Sequence, residues 1–246
     1  MRGDFFAGLK QLLVGFKLLG KPGIRGFVLI PLAINTLLFG LSIYLLSHYF
    51  GGWMEQLLGW LPSWLGFIEW LLWLIFALFV LVVMAFTFTL LANLIASPFN
   101  GFLAEAVERH LSGEAPPETG RSLSAEFGHS ILRELAKLRY YLPRLIGLVI
   151  LGFIPVLNSL SPVLWALFSV WMMAIQYLDY PMDNNDVRFG VMCRRLWQQK
   201  LTTAGFGSSV LLATMIPVVN WVVMPAAVAG STALWLSHYK RRAEDG

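Results

Sequence analysis

A short basic stretch, Lys21-Pro22-Gly23-Ile24-Arg25, precedes a long apolar run and has the residue types of an anion site. A helix that begins near Gly23 directs unpaired backbone N–H groups and its positive dipole end outward. Lys21 and Arg25 add positive charge there, and glycine lets an anion approach the backbone closely. These residues predict an anion-binding site at Lys21, Gly23, Ile24 and Arg25. A basic flank that only orients a membrane helix is the competing interpretation.

A second polar stretch, from Thr89 to Arg109, lies where another apolar run ends. Its polar side chains recur at helical spacing on one face, at Thr89, Asn93, Ser97 and Asn100. Ser97 followed by Pro98 is typical of an N-cap with proline at the first helical position. Glu105 and Arg109 have the i, i+4 spacing of a helix ion pair. Two interpretations stay open, a kinked membrane helix with a solvated end and the polar lining of a passage.

The composition of the chain places both stretches in an integral membrane protein. Of its 246 residues, 57% are hydrophobic and only 13% are charged, whereas about a quarter are charged in soluble domains. The net charge of +4 is expected from cytoplasmic loops near anionic headgroups, so we predict no nucleic-acid partner. The four histidines have no ligand or triad spacing, and the sequence contains no Walker-type glycine loop. We therefore expect no enzyme, no ATP hydrolysis, no metal and no other cofactor.

Apolar periodicity predicts an all-α integral membrane protein whose first part contains two long transmembrane helices. The predicted elements are an N-terminal amphipathic interfacial helix at 1–22, a first membrane helix at 23–50, a second membrane helix with a cytoplasmic helical extension at 65–112 and a cytoplasmic helix at 124–142. Lys10 and Lys17 lie opposite the apolar face of the first element. Asn35 lies inside the first membrane helix, where a buried amide either bonds a neighbouring helix or faces water.

The last third of the chain contains an internal repeat with an offset of 62 residues. Each copy has a short apolar arm, a turn and a second arm, and the turns are Ile154-Pro155-Val156-Leu157-Asn158 and Ile216-Pro217-Val218-Val219-Asn220. The first arms are shorter than the roughly 20 residues needed to cross a bilayer. We therefore predict two re-entrant, half-penetrating helical hairpins at 145–178 and 203–238, because broken segments in corresponding positions are typical of transport paths. Two ordinary hairpins whose arms cross at a tilt are the alternative.

Positive charge is distributed on one side of this topology. Lys and Arg occur before Phe27, between Arg109 and Arg144, between Arg188 and Lys200, and after Tyr239. Neither the loop at 51–64 nor either hairpin turn contains Lys or Arg. With two full spans and two re-entrant hairpins, all basic segments fall on the same side, so both termini are predicted to be cytoplasmic. We treat 1–246 as a single membrane transport domain.

The motifs resemble those of the CysZ-type sulfate permeases of bacterial inner membranes. The likeness extends from about Phe16 to Tyr239 and is strongest in Gly23-Ile24-Arg25 with Pro31 and Asn35, in Ala96-Ser97-Pro98-Phe99-Asn100-Gly101 with Ala104-Glu105, in Gln176-Tyr177-Leu178-Asp179-Tyr180-Pro181-Met182-Asp183-Asn184, and in Met215-Ile216-Pro217. The resemblance implies sulfate uptake for cysteine synthesis, a homo-oligomer, and sulfate binding at Gly23, Ile24 and Arg25. Family members often carry a second arginine directly after this motif, and this chain has Gly26 at that position. Lys21 or backbone N–H groups would therefore contribute more to sulfate binding here.

Movement of a dianion past hydrocarbon requires weakly binding stations of cations or N–H donors. We expect Arg25 with the Gly23-Ile24 backbone to form the entry station. The pathway residues that we expect beyond it are the neutral donors Asn35, Asn93, Ser97 and Asn100 and the Glu105–Arg109 pair, as a gate or structural clasp.

We find no clear acidic residue deep in the membrane for proton coupling, which favours channel-like conduction of sulfate. Sulfite and related oxyanions are not distinguished from sulfate by these residues. The rival hypothesis is a membrane-shaping or scaffold protein without transport activity, because wedge-like hairpins and an interfacial helix also suit that role. Membrane lipid is an expected partner under both hypotheses.

Overall fold

A computed structural model describes residues 3–117 and 123–240 of the chain, and side chains within these ranges except at 35, 63–65, 88–98, 123–124, 126–127 and 156–157. The described residues form helices and no strands. The helices are α1 Phe5–Leu19, α2 Gly26–Gly59, α3 Glu69–Ser112, α4 Leu123–Gly152, α5 Pro155–Asn158, α6 Ser161–Asn184, α7 Phe189–Gln198, α8 Lys200–Thr214 and α9 Pro217–Leu234. A 3-10 turn at Ser63–Ile68 precedes α3, and a π-helical turn at Trp235–Lys240 follows α9.

Four stretches are long and apolar enough to cross a membrane, namely Gly26–Gly59, Gly66–Thr87, Ser161–Asn184 and Pro217–Lys240. This confirms the predicted all-α membrane protein. The first two stretches correspond to the predicted membrane helices. The other two contain the second arms of the predicted hairpins, whereas α8, the first arm of the second hairpin, has only 15 residues.

The chain divides into two compact units. One comprises Met1–Val28 and Pro98–Gly246, and the other comprises Leu29–Ser97. In the second unit, the Phe50 ring of α2 lies 5.6 Å from Trp73 and 5.3 Å from Phe76 of α3. The membrane-spanning windows of Gly26–Gly59 and Gly66–Thr87 bury none of their residues, so their apolar side chains face outward as lipid-contacting helices require.

Helix α1 packs closely on α8 and α9 in the first unit. Its N-cap Asp4 accepts hydrogen bonds from the N–H groups of Phe6 and Ala7, and the Asp4 N–H donates to Thr202 Oγ1 at 2.8 Å. A Cβ atom on Gly8 would lie 2.0 Å from the Thr202 carbonyl oxygen, and one on Gly15 would lie 1.9 Å from that of Ala226. Only glycine permits such close approach, so these contacts fix the position of α1 on the protein.

The buried face of α1 depends on glycine as well as on apolar side chains. Its buried residues are Gly8, Leu12, Gly15 and Leu18, and Phe16 and Leu19 pack partly buried against the same core. Glycine contributes little to a hydrophobic pattern, although it allows the closest helix contact. The exposed side carries Phe6, Leu13 and Val14 together with Lys10 and Lys17.

Two prolines lie inside continuous helices, Pro98 within the helix that we predicted at 65–112 and Pro143 between two elements that we predicted as separate. Helix α3 continues from Glu69 to Ser112 and so includes Pro98. Helix α4 includes Pro143, where we expected the cytoplasmic helix to end and the first hairpin to begin. Proline removes one backbone hydrogen bond, which for Pro143 is the bond to the Arg139 carbonyl oxygen, but a helix can continue through it. Beside Pro143, Arg144 Nη1 donates to the Tyr140 carbonyl oxygen at 2.6 Å.

We predict that Gly15→Ala destabilises the protein by about 3 kcal/mol, because the new methyl group must displace the α9 backbone. Gly147→Ala is the matched control, since a Cβ on this helical glycine meets no atom within 4 Å. We expect that control to be neutral or stabilising by about 0.5–1 kcal/mol. Apparent melting temperatures in detergent measure both effects, and equal melting temperatures would contradict the proposed packing.

Candidate functional site

The turn before α2 is built around one buried side chain. Ile24 is 1% exposed, whereas Lys21, Gly23 and Arg25 are exposed. The N–H groups of Ile24 and Arg25 both donate to the Lys21 carbonyl oxygen, at 3.1 and 3.3 Å. Gly23 has a φ of +84°, a conformation that favours glycine. The turn therefore holds its two cations outward while Ile24 anchors it in the core.

Helix α2 begins at Gly26, three residues later than the helix start that we predicted at Gly23. The N–H groups of Ile24 and Arg25 are consequently used inside the turn. The N–H groups of Gly23 and Gly26 make no hydrogen bond to any residue that the structure describes. The backbone donors that remain for an anion are thus those of the two glycines.

A pocket of about 460 Å³ lies between this turn and α3. Its lining residues are Pro22, Gly23, Ile24, Phe27, Phe102, Glu105, Ala106, Arg109 and His110. Arg109 Nη2 pairs with Glu105 Oε1 at 2.6 Å, and both side chains keep partial contact with solvent, at 60% and 38% exposed. The pocket therefore joins glycine backbone, a guanidinium, a carboxylate and an imidazole in one cavity.

Helix α3 presents two different faces in this region. Phe102, Glu105, Ala106, Arg109 and His110 line the pocket at intervals of three and four residues. The opposite face is buried and consists of Leu103, Ala104, Val107 and Glu108. The rotation of α3 about its axis therefore determines whether Glu105 and Arg109 reach the pocket.

Hydrogen bonds from the end of α6 hold α3 in that rotation. Asn100 Nδ2 donates to the Tyr180 hydroxyl at 3.2 Å, and Asn184 Nδ2 donates to the Gly101 carbonyl oxygen at 2.8 Å. Glu108, 1% exposed, accepts from Asn185 Nδ2 at 2.9 Å and pairs with Lys240 Nζ at 2.9 Å. Two of the four stretches that carried the family resemblance, those at 96–101 and 176–184, thus contact each other directly.

The predicted pathway residues divide into several groups in the structure. Gly23, Ile24, Glu105 and Arg109 line the pocket, whereas Lys21 and Arg25 are exposed on the same turn outside its lining. Asn100 is buried, and its amide bonds Tyr180. The side chains of Asn35, Asn93 and Ser97 lie outside those that the structure describes.

Sequence reasoning missed a buried ion-pair cluster that joins α4 to α6. Asp179, 2% exposed, pairs with Arg133 Nε at 2.8 Å and with Lys137 Nζ at 3.2 Å. Asp183 lies 3.0 Å from His129 Nε2 and 3.4 Å from Arg133 Nη1. The sequence did contain a signal for this cluster. The acids on α6 are four residues apart, and so are successive bases on α4, so the two sets can face each other across the helices. His110 was also missed, because an isolated histidine has no distinctive spacing.

Burial and charge shift two pKa values near this cluster. Burial lowers the pKa of Lys137, but the negative charges of Asp179 and Glu134 outweigh burial and leave that pKa above its ordinary value. Burial, with Asp179, raises the pKa of the Cys193 thiol to about 11, against the opposing effect of Arg144 and Arg133. Cys193 is consequently a neutral thiol at physiological pH.

The arrangement is suited to binding an anion more than to bond-making chemistry. Among the described residues, no three His, Cys, Asp or Glu side chains come close enough together to hold a metal ion. The pocket offers N–H donors and positive charge beside a carboxylate that can exchange partners. Such a set binds oxyanions through charge-assisted hydrogen bonds.

Comparisons with known proteins agree with this chemistry. A family model described as "Sulfate transporter CysZ/Etoposide-induced protein 2.4" matches residues 11–225. The chain is 48% identical over 238 residues to the sulfate transporter CysZ of Pseudomonas fluorescens (strain Pf0-1), with 96% of this chain and 95% of that protein covered. It is 44% identical over 239 residues to the protein of that name from Pseudomonas aeruginosa (strain PAO1), with 96% and 97% covered. For the Pectobacterium atrosepticum protein of that name, identity is 42% over 236 residues, with 95% and 86% covered.

We predict that Asp179→Asn destabilises the protein by about 3–5 kcal/mol, because Arg133 and Lys137 would lose the buried acid that they share and keep only the more exposed Asp183 and Glu134 as partners. Glu134→Gln is the control, since Glu134 pairs with the same Lys137 but is 41% exposed. An exposed partner of this kind contributes at most about 1 kcal/mol. Apparent melting temperatures compare the two, and losses of equal size would show that burial of Asp179 has no special effect.

Proposed function

Because the chain belongs to the sulfate transporter CysZ/etoposide-induced protein 2.4 family, we propose that it is a sulfate permease. It takes up sulfate across the bacterial inner membrane for assimilation into cysteine. The pocket that joins the Gly23-Ile24 turn to Arg109 is the observation that supports this most directly. The names of relatives aligned over nearly their full length support sulfate as the cargo, with sulfite and related oxyanions as chemically similar candidates.

The Gly23-Ile24-Arg25 turn with Lys21 serves as the anion-binding station. A sulfate dianion is strongly hydrated, and loss of that water must be offset by donors from the protein. The unbonded N–H groups of Gly23 and Gly26 supply short backbone contacts. Lys21 and Arg25, as exposed cations of the same turn, raise the local anion concentration and bind the ion directly. Gly26 in place of a second arginine makes its backbone N–H available at that position.

The Glu105–Arg109 pair acts as a gate that the anion opens by competition. A single-contact ion pair between partly exposed side chains is weak, about 1 kcal/mol or less. A dianion that enters the pocket therefore competes with Glu105 for the Arg109 guanidinium. Departure of the anion lets the pair re-form, so Arg109 binds sulfate without retaining it, as conduction requires.

Conduction is channel-like, driven by the sulfate gradient without ATP hydrolysis in this chain. Asn35, Asn93 and Ser97 act as neutral donors along the membrane-spanning part of the path. Asn100 contributes through α3, because its amide is engaged with Tyr180. Both termini are cytoplasmic, and the protein acts as a homo-oligomer in which neighbouring copies and lipid cover the outward-facing apolar helices.

The two hairpins, α4–α6 and α8–α9, enter the membrane from the cytoplasmic side and return to it. The 15 residues of α8 measure about 22 Å, which is less than the about 30 Å of bilayer hydrocarbon. The hairpin ends are apolar and outward-facing at Phe153, Leu160, Val218 and Trp221. Apolar tips of this kind suit insertion into lipid and not a water-exposed loop.

Sulfate uptake into proteoliposomes tests the proposed transport. We expect the parent protein to take up radiolabelled sulfate, and Arg25→Ala to lower the initial rate about tenfold or more at low sulfate, since a charged hydrogen bond contributes about 1.5–3 kcal/mol. Lys10→Ala, which removes an exposed cation from α1, is the control and should retain the parent rate. Equal rates for all three proteins would remove Arg25 from the station. No uptake by folded parent protein would favour the scaffold hypothesis.

Thiol labelling tests the hairpins in a Cys193→Ser background. Single cysteines at Asn158 and Asn220, both exposed at the hairpin turns, are probed with a membrane-impermeant maleimide added to the periplasmic side of spheroplasts. Re-entrant hairpins keep both positions unlabelled, whereas a cysteine at Gly52, which is exposed in the C-terminal part of α2, is labelled. Labelling at Asn158 or Asn220 equal to that at Gly52 would show hairpins that cross the membrane.

A further inference from the structure

A chain of contacts links two cations through three aromatic rings on the surface of the first unit. The Arg144 guanidinium lies 3.5 Å from the centre of the Tyr140 ring, and the Tyr140 hydroxyl accepts from Trp171 Nε1 at 3.1 Å. Trp171 and Trp197 are in edge contact at 5.5 Å, and Lys200 Nζ lies 5.6 Å from the Trp197 ring. We call Tyr140, Arg144, Trp171, Trp197 and Lys200 the basic aromatic surface.

This surface lies where two helices change from polar to apolar. Beyond Arg144, helix α4 exposes Ile146, Val149 and Ile150, and the exposed Phe153 follows its end. Lys200 is the first residue of α8, whose exposed side chains further on include Leu201, Leu212 and Met215 at its end. Both cations therefore precede the apolar arm of a hairpin. Basic and aromatic residues with such neighbours are typical of the headgroup level of a bilayer.

The charges of Arg144 and Lys200 are not neutralised within the part of the protein that the structure describes. The ion pairs between described side chains involve Arg109, His129, Arg133, Lys137 and Lys240, and none involves Arg144 or Lys200. Arg144 is exposed, and Trp197 exposes 64% of its surface. Two cations that no described acid neutralises lie beside an exposed indole ring. This surface is complementary to a ligand that combines an anionic group with an apolar part.

We propose that the basic aromatic surface binds the headgroups of anionic phospholipids. The phosphodiester oxygens of bound lipids accept from the Arg144 guanidinium or from the Lys200 ammonium, and the Trp197 ring packs against the glycerol and upper acyl chain of the lipid at Lys200. A cation held on an aromatic ring is already oriented, so less conformational freedom is lost when the phosphate binds. The inference depends on the membrane location proposed above and is independent of sulfate transport.

Native mass spectrometry of the full chain in detergent tests this inference, with phosphatidylglycerol and phosphatidylcholine as titrated lipids. The parent protein should bind the first phosphatidylglycerol more tightly than the first phosphatidylcholine. Each basic residue near an anionic lipid contributes about 1 kcal/mol, or about fivefold in affinity. The double variant Arg144→Gln/Lys200→Gln should therefore weaken phosphatidylglycerol binding by at least about tenfold and leave phosphatidylcholine binding unchanged.

The matched control is Lys10→Gln/Lys17→Gln, which removes two exposed cations from α1. If both double variants weakened phosphatidylglycerol binding equally, the net charge of the protein alone would explain the binding, and the proposed surface would be overturned. Trp197→Ala provides a second test if the double variant does not fold, and unchanged lipid binding in this variant would also overturn the inference.

Millimolar inorganic sulfate is added in a further arm. Displacement of phosphatidylglycerol by sulfate would mean that the surface binds free anions, which would contradict the lipid assignment.

Discussion

The burial of two carboxylates, Asp179 and Glu108, is the constraint on which the arrangement of the candidate site depends. A buried ion loses several kcal/mol of hydration, so each carboxylate must have partners at defined distances. Asp179 meets Arg133 and Lys137 from α4, while Glu108 meets Asn185 after α6 and Lys240 at the end of the π-helical turn. Because these partners come from different helices, the cost of burial fixes α3, α4, α6 and the last turn relative to one another.

The rotation of α3 follows from these contacts. Glu108 is held on the core side, so Glu105, three residues before it, and Arg109, one residue after it, are directed to the pocket. Asn100 and Gly101 are held in the same way by Tyr180 and Asn184. Polar groups that touch no pocket atom therefore position the groups that do. The Asp-Tyr-Pro-Met-Asp-Asn stretch at 179–184 therefore orients α3 beside the pocket without lining the pocket itself.

The sequence was sufficient for the membrane class, the helical fold and the pairing of Glu105 with Arg109. These properties depend on composition and on spacing within one helix, which a single sequence displays directly. It was insufficient for Asn100, whose polar stripe suggested a passage although its amide is satisfied by Tyr180. It was insufficient also for the buried face of α1, where Gly8 and Gly15 make the closest contacts. Such features depend on partners remote in sequence, which no local pattern specifies.

Continuity of α4 through Pro143 illustrates the same limit. Proline predicts a helix end when the backbone group that it leaves unpaired would be costly to bury. In α4, the side chain of Arg144 donates to the Tyr140 carbonyl oxygen and also stacks on the Tyr140 ring. The group that Pro143 leaves without its helical partner is the Arg139 carbonyl oxygen, so this interaction does not replace the lost bond, but it holds the cation at the point where α4 becomes apolar. A proline in the sequence therefore predicts the loss of one hydrogen bond, but not whether the helix ends there.

The cations of this protein consequently fall into two classes with different physical roles. Arg133, Lys137 and Lys240 are paired with acids, and the first two are largely buried. The charge of these three residues therefore stabilises contacts between helices. Lys21 and Arg25 are exposed and take part in none of the ion pairs between described side chains. An anion can be attracted only by charge that the fold has not already neutralised. The structural acids therefore serve the proposed function indirectly, because they satisfy the buried cations and leave the turn before α2 as a positive surface beside the pocket.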